Sequence, residues 1–328
     1  MVATKKIQPT KSDVYVMGRH YEFNELIWAG AVYEYKCTGS VAGAVITYGD
    51  GQFEVSVDGG EFLLFPGSEM CTKEYIFADN LDPNAEHTVR IMKSNDIWKS
   101  RVKIESVIVE EGADIVKGYT KDDYSIKIEF TGDSVTSGGV TGQFNKSFVY
   151  TCASILNANY NAVSRSGQGL YRHANFGPHA PLKVLYTGIG METEDYDFSY
   201  NPDLVVMGIA TNDGANVRQT EDPNEKAKYL STLEEMYIEM LEIIHEKNPN
   251  ATILCTLGQM GDYVHVYDTV LRAIDTYKAN NPDVAVHFFK FSLATDAGKE
   301  TYWHPGIESH VRNGEELAEE IKKIMNLK

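Results

Sequence analysis

Short alternating runs of apolar and polar residues dominate the first third of the chain. Within residues 14–110 they read "VYEYKC", "GAVITY", "QFEVSV", "EFLLFP", "EYIFA", "HTVRIMK" and "KIESVIVEE". Turn-forming stretches separate them: "YGDGQ", "VDGGE", "FPGS", "LDPNAE" and "KSND". Period-two alternation punctuated by Gly, Asp and Asn predicts short strands stacked as a β-sandwich. "VSVDGGEF" predicts a hairpin, with Asp58-Gly59-Gly60 supplying a positive-φ turn. The next stretch, "EEGADIVKGYTKDDYS", is polar and loses the alternation. A boundary is expected there, giving a sandwich domain over 1–115 and a second domain over 116–328.

From about residue 124 strands alternate with helices. "SIKIEF" (125–130), "YNAVSRS" (160–166), "PDLVVMGIA" (202–210), "ATILCTL" (251–257) and "VAVHFFKF" (284–291) predict strands. The third is almost uninterruptedly apolar, as in a parallel sheet covered on both faces. Helices are predicted over 147–158, 222–248, near 265–280 and over 314–325. In the long 222–248 helix Pro223 fits the first turn. Leu230, Leu233, Met236, Tyr237, Met240, Leu241 and Ile244 form its apolar stripe. This βαβ series predicts an α/β domain with a central parallel sheet.

Composition narrows the chemistry. The 328 residues are 43% hydrophobic and 23% charged, as in soluble globular chains. No apolar run approaches the roughly 20 residues of a membrane span. The opening "MVATKKIQPTKSD" has no apolar stretch behind its lysines, so a cytoplasmic protein is expected unless a leader was removed. A formal charge of −17 with no basic run disfavours nucleic acid and anionic membranes as partners. It suits a neutral substrate such as a sugar. The four cysteines, Cys37, Cys71, Cys152 and Cys255, are widely spaced and fit buried free thiols better than a zinc site or disulfide framework. The patterns of metalloproteases, P-loops and dinucleotide folds are absent. Nothing in the sequence specifies an oligomeric state.

The chemistry-bearing residues sit where strands end. "SIKIEF" runs into "TGDSVTSGG", which puts Ser134 on a strand-to-helix turn beside Gly132, Gly138 and Gly139. In open parallel α/β sheets function gathers at the carboxyl ends of the strands. "AVSRSGQG" ends near Gly167 and "VVMGIATND" at Asn212. A backbone N–H and a side-chain amide there can serve as oxyanion donors. His304 comes after the last strand, in "KETYWHPGIESH".

The order "GDS", Gly167, "ND", "HP" resembles the SGNH hydrolases across residues 124–328. The resemblance implies Ser134 as nucleophile, His304 as base, and the N–H groups of Ser134 and Gly167 with the Asn212 amide as oxyanion hole. One departure is Ala210, where such families usually carry Gly. The N-terminal half, with "GRHYEFNELIWAGAVYEYKCTGS" and "VSVDGGEF", and the later "SGQGLYR" are similar to the family 2 carbohydrate esterases. These join a jelly-roll domain to an SGNH domain and remove O-acetyl groups from xylan and glucomannan. The resemblance implies an acetylesterase on acetylated oligo- or polysaccharides that needs no metal or organic cofactor.

Within that family some members place an Asp two residues before the histidine, and others use a backbone carbonyl on Nδ1. Position 302 is Tyr, so a Ser-His dyad is implied, with Nδ1 against a main-chain carbonyl. Asp296, Glu300 and Glu308 lack the expected offset and read as solvated surface carboxylates. Trp303, next to the base, reads as a sugar platform, with Tyr171 as a second wall. His310 reads as a surface or capping residue, His173 and His179 as loop residues near the cleft, and His287 as half-buried. Trp28 and Trp98 read as core or interface residues of the sandwich. Two other readings are a lipase-type SGNH esterase, disfavoured by the lack of an amphipathic membrane helix, and a non-catalytic carbohydrate-binding protein.

Overall fold

The structure is a computed structural model that describes residues 2–177, 181–191, 194–298 and 301–328. The chain divides into two compact units. The first comprises Met1–Tyr124 with Gln143–Asn145, and the second Ser125–Gly142 with Lys146–Lys328.

The first unit is built of β1 (Thr4–Ile7), β2 (Val14–Met17), β3 (Glu25–Leu26), β4 (Val32–Cys37), β5 (Ala42–Tyr48), β6 (Phe53–Val57), β7 (Leu63–Phe65), β8 (Cys71–Ala78), β9 (His87–Lys93) and β10 (Val102–Glu110). One sheet runs β1-β10-β5-β8 with β3 also on β10, and the other runs β2-β4-β9-β6-β7. Their pairings are antiparallel. The two sheets share one core. Tyr48 of β5 meets Phe53 of β6 edge to face at 5.3 Å, and the buried Tyr35 hydroxyl of β4 donates to the Gly43 carbonyl of β5 at 2.7 Å. The β6–β7 hairpin closes as its sequence predicts. Asp58 and Gly59 have φ of 53° and 71°, and the Gly60 N–H donates to the Val57 carbonyl at 2.9 Å.

Three details differ from the expectation. The short strands β1, β2 and β3 lack a legible alternation. Residues 116–124 stay with the first unit: next to the Ile115–Cys37 bridge the Val116 N–H donates to the Lys36 carbonyl, and Lys121 pairs with Glu34. Trp28 is core at 1% exposure, whereas Trp98 is exposed.

The second unit carries β11 (Ile126–Gly132), β12 (Ala158–Ser164), β13 (Leu204–Gly208), β14 (Thr252–Leu257) and β15 (Val286–Lys290) in one parallel sheet. The order is β12-β11-β13-β14-β15, a doubly wound arrangement. Its helices are α1 (Phe148–Ile155), α2 (Leu182–Thr187), α3 (Thr211–Gln219), α4 (Pro223–Lys247), α5 (Tyr267–Asn280) and α6 (Ile307–Met325). The α4 helix starts on a side-chain cap, Asp222 accepting the N–H groups of Asn224 and Glu225, with Pro223 next to it. Its buried stripe is Tyr229, Leu233, Tyr237, Met240, Leu241 and Ile244. Tyr229 replaces Leu230 in the second turn because its hydroxyl has buried partners on α3. His287 is exposed, since β15 is the edge strand. Cys37, Cys152 and Cys255 are buried free thiols, and Cys71 is half-buried. Among the described residues no helix is long and apolar enough to cross a membrane.

Candidate active site

β11 delivers the candidate nucleophile. At its end Gly132 is squeezed: a Cβ there would lie 2.3 Å from Thr136 Oγ1 and 2.4 Å from the Gly208 carbonyl oxygen. Asp133 and Ser134 come next, both buried. Asp133 accepts the Val135 N–H at 2.9 Å and tightens the turn. Burial pushes the Asp133 carboxyl up to about 7, with the charge of Asp213 adding to it. Beneath the turn lies a cavity of about 20 Å³, lined by Asp133, Thr136, Thr211, Thr256 and Gln259 among others. It has room for one water molecule.

Ser134 Oγ stands 2.7 Å from His304 Nε2. The other ring nitrogen, Nδ1, is 3.0 Å from the Tyr302 carbonyl oxygen. A carbonyl only accepts, so Nδ1 carries the proton and Nε2 is left as the acceptor facing the serine hydroxyl. The turn that makes this possible is left-handed at two successive residues, Tyr302 with φ 49° and Trp303 with φ 62°. It is tied by the Trp303 N–H to the Gly298 carbonyl at 2.8 Å and the His304 N–H to the Thr301 carbonyl at 2.9 Å. Both side chains then project outward, Tyr302 at 75% and Trp303 at 63% exposure.

The other two candidate residues lie on one connected piece of structure. Gly167 has φ 77°, which favours glycine. Asn212 is on the first turn of α3, and its Nδ2 donates to the Gln168 carbonyl at 2.9 Å. A primary amide has two N–H bonds, so the second is not consumed by this contact. The next residue, Asp213, is fully buried and accepts the N–H groups of Leu170, Tyr171 and Arg172 at 2.7, 3.1 and 3.1 Å. It also accepts the Tyr229 hydroxyl at 2.8 Å. Burial raises its pKa, against these hydrogen bonds. One turn on, Asn216 donates to the His173 carbonyl at 2.8 Å and accepts the Phe176 N–H at 3.2 Å. Residues 168–176 are thus stitched to one face of α3.

Tyr171 belongs to that stitching: its ring meets Tyr229 at 4.8 Å and lies under the Arg172 guanidinium at 5.2 Å. His173 is buried and paired with Arg165. His179 and Glu300 lie outside the described residues. Two expectations need correction. His310 is fully buried on α6, where Nδ1 accepts the Phe148 N–H at 3.2 Å and the ring stacks on Phe148. Asp296 is not a free surface carboxylate: it accepts the N–H groups of Gly306 and Ser309. Glu308 is exposed, as expected. Sequence reasoning misses Asp213 and Asn216, although "TNDGAN" places Asn212, Asp213 and Asn216 on one helical face. Among the described residues no group of three or more His, Cys, Asp or Glu converges as a metal site requires.

The fold has counterparts among solved structures. An acetyl xylan esterase from the rumen bacterium Butyrivibrio proteoclasticus superposes with a TM-score of 0.86 at 19% identity, covering 100% of both chains. A family two carbohydrate esterase from Clostridium thermocellum in complex with cellohexaose superposes at 0.84 and 22% identity, covering 96% of this chain and 100% of that one. The chain has the fold of the family 2 carbohydrate esterases. In sequence, this family 2-like chain is 23% identical over 266 residues to an acetylxylan esterase / glucomannan deacetylase of Cellvibrio japonicus (strain Ueda107), covering 74% of this chain and 69% of that protein. No family model matches it. Within this family 2 fold, Ser134, Gly167, Asn212 and His304 all belong to the α/β unit.

Proposed function

We propose that this protein is a serine esterase that removes O-acetyl groups from plant hemicellulose, acting on acetylated manno- or xylo-oligosaccharides. The observation that carries the reading is the Ser134 Oγ–His304 Nε2 contact of 2.7 Å, with Nδ1 held by a main-chain carbonyl. Relatives named as acetylxylan esterase, glucomannan deacetylase and family two carbohydrate esterase support the substrate class, as does the cellohexaose bound to one of them.

In this reading Ser134 Oγ attacks the acetyl carbonyl carbon as His304 Nε2 takes its proton. The N–H groups of Ser134 and Gly167 and the free N–H of Asn212 receive the oxyanion. The bond to the sugar oxygen then breaks, and the imidazolium protonates that oxygen. Water adds to the acetyl-enzyme by the same route, releasing acetate and restoring the serine. Trp303, exposed beside the base, offers an aromatic face to the pyranose. Tyr171 is the second sugar contact in this reading, with the Arg172 guanidinium over its ring.

The test is acetate release from acetylated xylo- and manno-oligosaccharides, monitored by NMR. It should persist in EDTA and fall at least about a thousandfold in Ser134→Ala. Undiminished release by Ser134→Ala would sink the reading.

A further inference from the structure

Ester hydrolysis by Ser134 and His304 leaves unused a carboxylate that borders the His304 turn. Asp296 lies ten residues before Gly306, the residue preceding α6. Its Oδ1 accepts the Gly306 N–H at 2.9 Å, and its Oδ2 accepts the Ser309 N–H at 3.2 Å. The contact is answered from the other side: the Thr295 N–H donates to Ser309 Oγ at 3.1 Å.

The start of α6 therefore has a cap, but not from its own N-cap residue. Gly306 has no side chain, and the capping oxygens come from upstream. Glycine is required for the approach, since a Cβ at Gly306 would lie 2.5 Å from Asp296 Oδ2. Burial would raise the Asp296 carboxyl, but hydrogen bonds from Ser309 and Gly306 outweigh it and hold it low. An ionised clamp thus joins the two ends of the segment that carries Tyr302, Trp303 and His304. Inside the clamp the turn is closed by the Gly298 and Thr301 carbonyls.

We propose that Asp296 is a positioning residue for the Ser134–His304 pair: it fixes where the histidine enters the site by clamping the base of its loop to α6. The inference rests on the dyad reading. Asp296 touches no reacting atom. Its loss lets the segment shift, so that the imidazole drifts from Ser134 Oγ and Trp303 moves with it. Misplacing a reacting group by about 1 Å can lower the rate on the order of a hundredfold.

The experiment compares Asp296→Asn and Gly306→Ala with the unaltered protein. Asparagine keeps the size but leaves only one acceptor. Gly306→Ala displaces an intact Asp296 from the opposite side. Steady-state kinetics on 4-nitrophenyl acetate, which does not engage Trp303, are joined to NMR detection of the His304 Nδ1–H, whose signal does not depend on turnover. Both variants should lower kcat by about tenfold to a hundredfold, hold KM within about threefold, and broaden or lose the Nδ1–H signal. Unchanged kcat in both variants would overturn the proposal. So would a loss of activity with the Nδ1–H signal intact, or one matched by a rise in KM. Failure of the dyad reading itself would show separately, as undiminished turnover by Ser134→Ala.

Discussion

His304 Nδ1 lies 3.0 Å from the carbonyl oxygen of Tyr302, two residues earlier in the chain. The acceptor is main chain, so the Tyr302 side chain is not part of the contact. What the contact needs is the left-handed backbone of Tyr302 and Trp303. Tyr302→Gly should therefore keep kcat within about threefold, because glycine adopts this conformation freely. Tyr302→Val should lower kcat about tenfold or more, since a β-branched residue there is strained by about 1–2 kcal/mol. Equal activity of the two variants would mean that the turn does not hold the ring.

Trp303 is 63% exposed, so little of its ring is consumed by the fold. An aromatic stacking contact is worth about 0.5–1.5 kcal/mol, or about two- to tenfold in affinity. Trp303→Ala should raise KM for acetylated oligosaccharides by that factor and leave KM for 4-nitrophenyl acetate unchanged. A parallel rise for both substrates would assign the residue to the fold instead.

Ala210 occupies the position where a glycine is usual, and its backbone is left-handed at φ 92° with the side chain fully buried. A buried Ala→Gly exchange normally costs about 1 kcal/mol for the methyl group and up to about 1 kcal/mol in backbone entropy. Relief of left-handed strain, about 1–2 kcal/mol, offsets both. Ala210→Gly should be neutral within about 0.5 kcal/mol by urea denaturation. A loss above about 1.5 kcal/mol would show the strain to be absent.

Two buried groups give the fold opposed responses to acid. Burial lowers His310 from 6.5 to about 4, with Asp296 opposing and His304 adding to the shift. The neutral ring's contribution is complete above pH 6.5 and is lost as pH falls toward 4. Asp133 is raised from 3.8 to about 7, so its contribution is complete below pH 3.8 and is lost as pH rises toward 7. Between pH 7 and 5 the two trends oppose each other, so each is read as a difference from the parent protein. Relative to it, His310→Gln should gain about 2 kcal/mol on going from pH 7 to 5, and Asp133→Asn should lose a similar amount. Denaturant titrations at both pH values measure this, and parallel curves for all three proteins would refute it.

The two kinds of sheet were legible because their side-chain patterns differ: alternating in the sandwich, continuously apolar in β13. Ser134 stood out because it comes two residues after β11, whereas His304 lies well beyond β15 and is joined to Ser134 by a contact that spans the sequence. What escaped reading depended on partners distant in sequence. The α3 segment "TNDGANVRQ" has no apolar stripe, since its inward face is polar and is satisfied by the backbone of residues 170–176. The α6 helix starts before the apolar pattern does, because Ser309, His310 and Asn313 are polar yet buried. His310 becomes interior only through Phe148, and Asp296 becomes a cap only through Gly306 and Ser309. No local window contains these pairs.

The face of α3 that holds residues 168–176 has a mechanical consequence. Asn212 is tied to Gln168, and Asp213 to Leu170, Tyr171 and Arg172, so Gly167 and the Asn212 amide ride on one brace. In the proposed reaction, where both act as donors, a displacement of this brace would move the two together relative to Ser134. Their spacing is set by these hydrogen bonds, and none of the bonds reaches Ser134.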